Sequence, residues 1–152
     1  SIIYYSRDCV TPLRGTDVSN ALIELLSVTR WGKLDYLILD LPPGIGDLTL
    51  DLLRLIKDIR FLIITTSSAL AFETVRKLAE LLKELGIPVI GVIENMKMDQ
   101  SSSVKTETKK LDLNPLGNIP YDATIEEAIG NVNRLRTTVF AKRVGEIMAK
   151  IL

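Results

Sequence analysis

The sequence predicts an α/β fold with a mostly parallel, doubly wound sheet. Three observations carry that prediction. Short apolar runs alternate with amphipathic segments along all 152 residues, the order that parallel βαβ crossovers produce. Tyr36 to Leu39 and Phe61 to Ile64 are continuous rather than alternating apolar runs, as expected of strands covered on both faces. Polar loop residues, Asp40 and Asn95, stand where such runs end, and in open α/β sheets the carboxyl ends of strands are where ligands bind.

The elements follow in order. Ile2 to Tyr5 reads as a strand, rich in β-branched and aromatic residues. Pro12 and Gly15 break the chain, and Arg14 is a loop arginine. Asp17 is placed to cap a helix carrying Val18, Ala21, Leu22, Leu25 and Leu26, which Trp31-Gly32 closes. The stretch Leu34 to Asp47 begins as a buried strand whose apolar run is Tyr36 to Leu39, with Asp40 where that run ends, and leads into Pro42, Pro43, Gly44 and Gly46. The prolines fix two φ angles and remove two donors, so no ladder continues there. Asp47 is placed to cap a helix over 48–56 with Leu48, Leu52, Leu55 and Ile56 on one face.

Phe61 to Thr65 is the next strand. Ala69 to Leu85 is the clearest helix, with Val75, Leu78, Leu81, Leu82 and Leu85 as its apolar stripe. Gly86 suits its C′ position, Ile87 the accompanying apolar contact, and Pro88 blocks continuation. Pro88 to Ile93 is a strand. Lys97 to Asn114, polar with scattered apolar residues, reads as a loop or short irregular excursion. Leu116 to Ile119 is a strand. Thr124 opens a short helix over 125–129, and Thr137 or Thr138 opens a last helix with Phe140, Val144, Ile147, Met148 and Ile151 on one face.

Composition narrows the chemistry. Hydrophobic residues make up 47% and charged residues 25%, an ordinary globular balance. Nineteen Lys and Arg offset 19 Asp and Glu, so bulk charge gives no support to nucleic-acid binding. There is no histidine and Cys9 is the only cysteine. That excludes histidine acid–base chemistry, an intrachain disulfide and a Cys-x-x-Cys site within this sequence. No apolar run is long enough to span a membrane and no signal peptide is evident, which suits a cytoplasmic chain. The whole of 1–152 reads as one partial domain. Its start, Ser1-Ile-Ile-Tyr-Tyr5, is a strand already under way, so the expectation is a natural chain that is longer on the N-terminal side.

The motifs together resemble the Mrp/ApbC branch of the MinD/ParA-type P-loop ATPases. The resemblance rests on Arg14-Gly15, on Trp31 to Asp47 with its Asp40-Leu-Pro-Pro-Gly44 run, on Thr65-Thr66, on Leu85 to Met96, and on Ile119-Pro-Tyr-Asp122. It implies a P-loop NTPase-like fold, incomplete here at the N-terminal side, and ATP and Mg²⁺ as cofactors. Asp40 then corresponds to the carboxylate that holds Mg²⁺ through water or orients the attacking water. Pro42 to Gly46, including Gly44, becomes the loop that senses the γ-phosphate, with Asp47 at its edge toward a homodimer face. Asn95 meets the adenine edge, and Pro120 and Asp122 help to wall the base pocket. The plain alternatives are an asparagine satisfying its own backbone at Asn95 and a cap or turn residue at Asp122.

Two departures from the family pattern bear on function. No Gly-x-x-x-x-Gly-Lys-[Ser/Thr] occurs in these residues, so ATPase activity is expected only if a full-length chain supplies that cradle. The stretch after Asn95-Met96 holds no cysteine pair, which counts against an iron–sulfur cluster bound there. The resemblance nonetheless implies an ATP-driven switch linked to iron–sulfur cluster assembly or carriage. Its alternatives are a MinD/ParA-like positioning ATPase without a cluster, and an interaction module without catalysis.

Overall fold

A computed structural model describes residues 15–99 and 103–151. The predicted strand at Ile2 to Tyr5, Cys9 and Arg14 lie outside the described residues. The chain divides into two compact units, Ser1–Lys57 and Asp58–Leu152.

In the first unit, helix α1 spans Gly15–Val28 and helix α2 spans Asp47–Leu55. Ser19 of α1 donates its hydroxyl to the Asp51 carboxylate of α2. Asp17 lies inside the first turn of α1 rather than at its cap. Trp31 folds back on this helix, its indole N–H donating to the Leu26 carbonyl at 3.0 Å. On α2 the buried pair is Thr49 and Leu52. Leu55, expected on the buried face, is 47% exposed.

Among the described residues the run Tyr36 to Leu39 forms no ladder, and Ile38 is 83% exposed. This corrects the expectation of a buried strand. A strand exists only where a neighbour takes its backbone groups. Among the described residues of this unit the regular elements are the two helices, which offer no ladder partner.

The second unit is built on a three-stranded parallel sheet in the order β1-β2-β3. Its strands are β1 (Phe61–Thr65), β2 (Val89–Lys97) and β3 (Pro115–Pro120). Helix α3 (Ala69–Glu84) connects β1 to β2, and α4 (Ser103–Lys110) lies between β2 and β3. Three helices follow: α5 (Thr124–Ala128), α6 (Val132–Thr137) and α7 (Val139–Met148).

The central strand is the most buried, with residues 91–94 all buried. One core forms where Ile93, Leu116, Ile119 and Ile147 meet, with Leu62, Ile90, Phe140, Val144 and Ile151 packed around them. Most of the apolar face predicted for the last helix therefore packs against β3. On α3 the buried residues are Val75, Ala79 and Leu82.

The end of α3 follows its sequence closely. Gly86 takes φ +68°, its N–H bonds Lys83 O at 3.1 Å, and the Ile87 N–H bonds Leu82 O at 2.8 Å. This is the Schellman arrangement, which puts a left-handed residue at C′. Gly91 answers a different demand. A Cβ there would lie 2.5 Å from the Asn114 carbonyl, so β2 and the entry to β3 approach closely only because the side chain is missing.

Lys97 to Asn114 contains helix α4, with Val104 and Thr108 buried, and not only irregular chain. Two buried positions four residues apart are enough to seat a short helix, but too few to show as an apolar stripe.

Candidate functional site

Two strands end together at the carboxyl edge of the sheet. Lys97 of β2 pairs with Pro120 of β3, and the Tyr121 N–H donates to the Lys97 carbonyl at 3.0 Å. A cavity of about 200 Å³ opens there, lined by Asn95, Met96, Pro120, Asp122, Glu126 and Phe140 among others. Three residues singled out in the sequence, Asn95, Pro120 and Asp122, thus meet around one space.

Asn95 Oδ1 accepts the N–H of Met96 at 2.9 Å. The local-backbone alternative for this side chain is therefore realised at its oxygen. Its Nδ2 has no partner among the described residues, which leaves an amide donor at the cavity.

Asp122 has the opposite character, since both of its oxygens are engaged. Oδ1 accepts the Thr124 hydroxyl at 2.6 Å and the Thr124 N–H at 3.0 Å. Oδ2 accepts the Phe140 N–H at 3.2 Å. The Thr124 hydroxyl, followed by the Phe140, Thr124 and Val139 amides, holds the carboxyl below the usual carboxylate range. Asp122 holds the start of α5 and ties the loop after β3 to the start of α7, which fixes one wall of the cavity. The N-cap residue of α5 is Ala123, whose methyl side chain cannot cap, so the Thr124 N–H is met by Asp122 one residue earlier, whereas Thr138 caps α7 by accepting the Ala141 N–H at 3.1 Å.

Beneath Asn95 lies a cluster that the sequence reading did not single out. Glu94 is 5% exposed. Lys97 Nζ stands 2.9 Å from each of its carboxylate oxygens, and the Ser67 hydroxyl donates to Oε1 at 2.8 Å. In a regular strand, residues three apart point to opposite faces. Here the register slips between Glu94 and Lys97, and Met96 takes φ +56°, which brings Lys97 over Glu94. Lys97 Nζ also lies 3.7 Å from Asp99 Oδ1. Removing Lys97 strands the buried Glu94 carboxylate, at a cost of about 3–5 kcal/mol. The available signal was a glutamate inside the apolar run Val92-Ile93-Glu94 with a lysine three residues on.

The remaining predicted residues belong to the first unit. Asp40 is exposed, as is Pro42. Gly44 takes φ +88°, a conformation that favours glycine. Gly46, not Asp47, is the N-cap of α2, and it provides no side-chain cap. Asp47 is the first helical residue, where its charge complements the positive end of the helix. Its Oδ2 lies 3.3 Å from the place a Cβ on Gly15 would occupy.

No group of three or more His, Cys, Asp or Glu side chains suited to a metal occurs among the described residues. Asp40 is an exposed carboxylate with no hydrogen bond or ion pair to another described residue. No helix among the described residues is long and apolar enough to cross a membrane.

The all-parallel sheet, its crossover helices and a cavity at the carboxyl edge define an α/β protein with a P-loop NTPase-like fold. Residues 2–152 match the family described as "ParA: NUBPL iron-transfer P-loop NTPase", and the chain belongs to that family. It is 34% identical over 127 residues to the iron–sulfur cluster transfer protein NUBPL of Mus musculus, covering 76% of this chain and 40% of that protein. It is 37% identical over 143 residues to the iron–sulfur cluster carrier protein of Methanocaldococcus jannaschii, covering 84% of this chain and 49% of that one. With the carrier protein of Pseudomonas fragi the identity is 44% over 88 residues, covering 57% and 31% respectively. The chain spans less than half the length of each of these curated relatives.

Proposed function

We propose that this chain supplies the Mg²⁺-side loop and the base pocket of an ATP-binding and ATP-hydrolysing switch that serves iron–sulfur cluster carriage. The observation that carries the reading is the meeting of Asn95, Pro120 and Asp122 around one cavity at the carboxyl ends of β2 and β3. A side-chain amide beside a proline wall is suited to the polar edge and flat face of a purine. Asn95 offers Nδ2 to a ring nitrogen, while Asp122 acts through the wall it holds rather than by contact.

Asp40 is the carboxylate for Mg²⁺, through a bound water. When bound, Mg²⁺ neutralises charge on the β- and γ-phosphates. Pro42 to Gly46 forms the loop that responds to the γ-phosphate, with Asp47 at its edge. Hydrolysis moves such a loop and so alters partner affinity. The working unit is a homodimer in the cytoplasm, and the cluster is its cargo.

The test uses the full-length protein. Asp40→Ala abolishes ATP hydrolysis, read as phosphate release, whereas Asn95→Ala weakens nucleotide binding. Turnover retained by Asp40→Ala would sink the assignment.

One observation favours a second reading, a positioning switch of the MinD/ParA type with no cluster. Cys9 is the only thiol in the chain, and a bridging cluster draws thiolates from each subunit. Anaerobic reconstitution with iron and sulfide separates the two, since a stable cluster absorbance rules out the second.

A further inference from the structure

We infer that Glu94 and Lys97 form a clasp that sets the position of Asn95 for ligand recognition, making them positioning residues of the cavity. The inference rests on the reading of that cavity as a nucleotide site.

Asn95 and Met96 lie between the clasped residues, at the slip in the β2–β3 register. Met96 is left-handed at φ +56°, a conformation that costs energy in a residue with a side chain and persists only where the surroundings enforce it. The ion pair enforces it, because Lys97 reaches Glu94 only if the strand reverses its alternation between them. The Met96 N–H, directed by the same turn, then holds Asn95 Oδ1 at 2.9 Å, which leaves Nδ2 as the group offered to a ligand.

The clasp also reaches both neighbours of β2. Ser67, beyond the end of β1, donates to Glu94 at 2.8 Å. The Lys97 carbonyl accepts the Tyr121 N–H at 3.0 Å, one residue before Asp122. Asn95 and the Asp122 wall are therefore set relative to one another through the buried Glu94–Lys97 pair, with the exposed Asp99 carboxylate 3.7 Å from the same ammonium. An apolar side chain at 97 would fill the space of the lysine stem but would not hold the turn, and this separates positioning from mere packing.

The test is made in the full-length protein with the fluorescent analogues mant-ATP and mant-GTP, each with Mg²⁺. The double variant Glu94→Gln/Lys97→Met removes both charges together and strands neither, so it folds where a single change fails. Its Kd for mant-ATP rises about tenfold, its preference for mant-ATP over mant-GTP falls, and hydrogen-exchange protection drops at Met96 and Tyr121 but not at Val92. Lys97→Arg keeps the charge and retains most of the affinity. If Asn95→Ala weakens mant-ATP binding and the double variant does not, the cavity reading stands and the clasp is overturned. If Asn95→Ala binds as the wild type does, the cavity reading itself fails and the inference fails with it.

Discussion

The Asp122 carboxylate accepts the backbone N–H of Phe140, 18 residues further along the chain, at 3.2 Å. The same side chain caps Thr124, so one carboxylate organises the starts of two helices. The Thr124 hydroxyl first, and the amides after it, lower its pKa in the folded chain. Folding thus favours the ionised form. The contribution is complete above the ordinary carboxylate pKa of about 3.9, and it is lost as pH falls through the lower folded value. Asp122→Asn therefore melts below the wild type at neutral pH, and the two curves converge as the pH is taken well below 4. Thermal melts from pH 7 to pH 2 check this, and a gap that stays constant with pH would refute it.

Gly86 and Gly91 are required for different reasons, and their alanine variants separate in magnitude. At Gly86 the added Cβ meets nothing within 4 Å, so Gly86→Ala costs only the left-handed backbone, about 1 kcal/mol. At Gly91 the Cβ would meet the Asn114 carbonyl at 2.5 Å and Leu116 at 2.7 Å. Backbone must then move, and Gly91→Ala costs more, about 1–3 kcal/mol. Urea unfolding midpoints rank the two variants, and the reverse order would contradict the close approach of β2 to the entry of β3.

Most of the second unit was legible because burial leaves a periodic trace. The continuous run Phe61 to Ile64, the face of α7, and the stripe on α3 with its Gly86 ending all show in the sequence, although Leu85 at the end of α3 is 49% exposed and Ala79 is buried in addition. Asn95, Pro120 and Asp122 were legible as strand-end residues, and the structure gathers them. Helix α6 was not, because it has no buried residue; its visible signal is the cap at Asn131, whose side chain accepts the Arg134 N–H at 3.1 Å. The Glu94–Lys97 pair escaped notice because alternation puts those positions on opposite faces, and only the left-handed Met96 brings them together. At Tyr36 to Leu39 the error runs the other way. Apolar composition marks a segment that prefers strand, but a ladder needs a second strand, and local sequence does not say where that strand is.

Helix α4 carries a buried hydroxyl at Thr108. Thr108 is 1% exposed, and its hydroxyl has no hydrogen-bond partner among the described residues. A buried hydroxyl without a partner loses its hydration and recovers nothing. Valine has nearly the same shape and a similar helix propensity. Replacing the hydroxyl by a methyl removes that penalty while Val104, four residues earlier and also buried, keeps the seat of the helix. Thr108→Val therefore stabilises the protein, by about 1 kcal/mol, and raises the urea midpoint without changing the slope. A lower midpoint would mean that the hydroxyl is satisfied in solution, by a water or by a shift of α4.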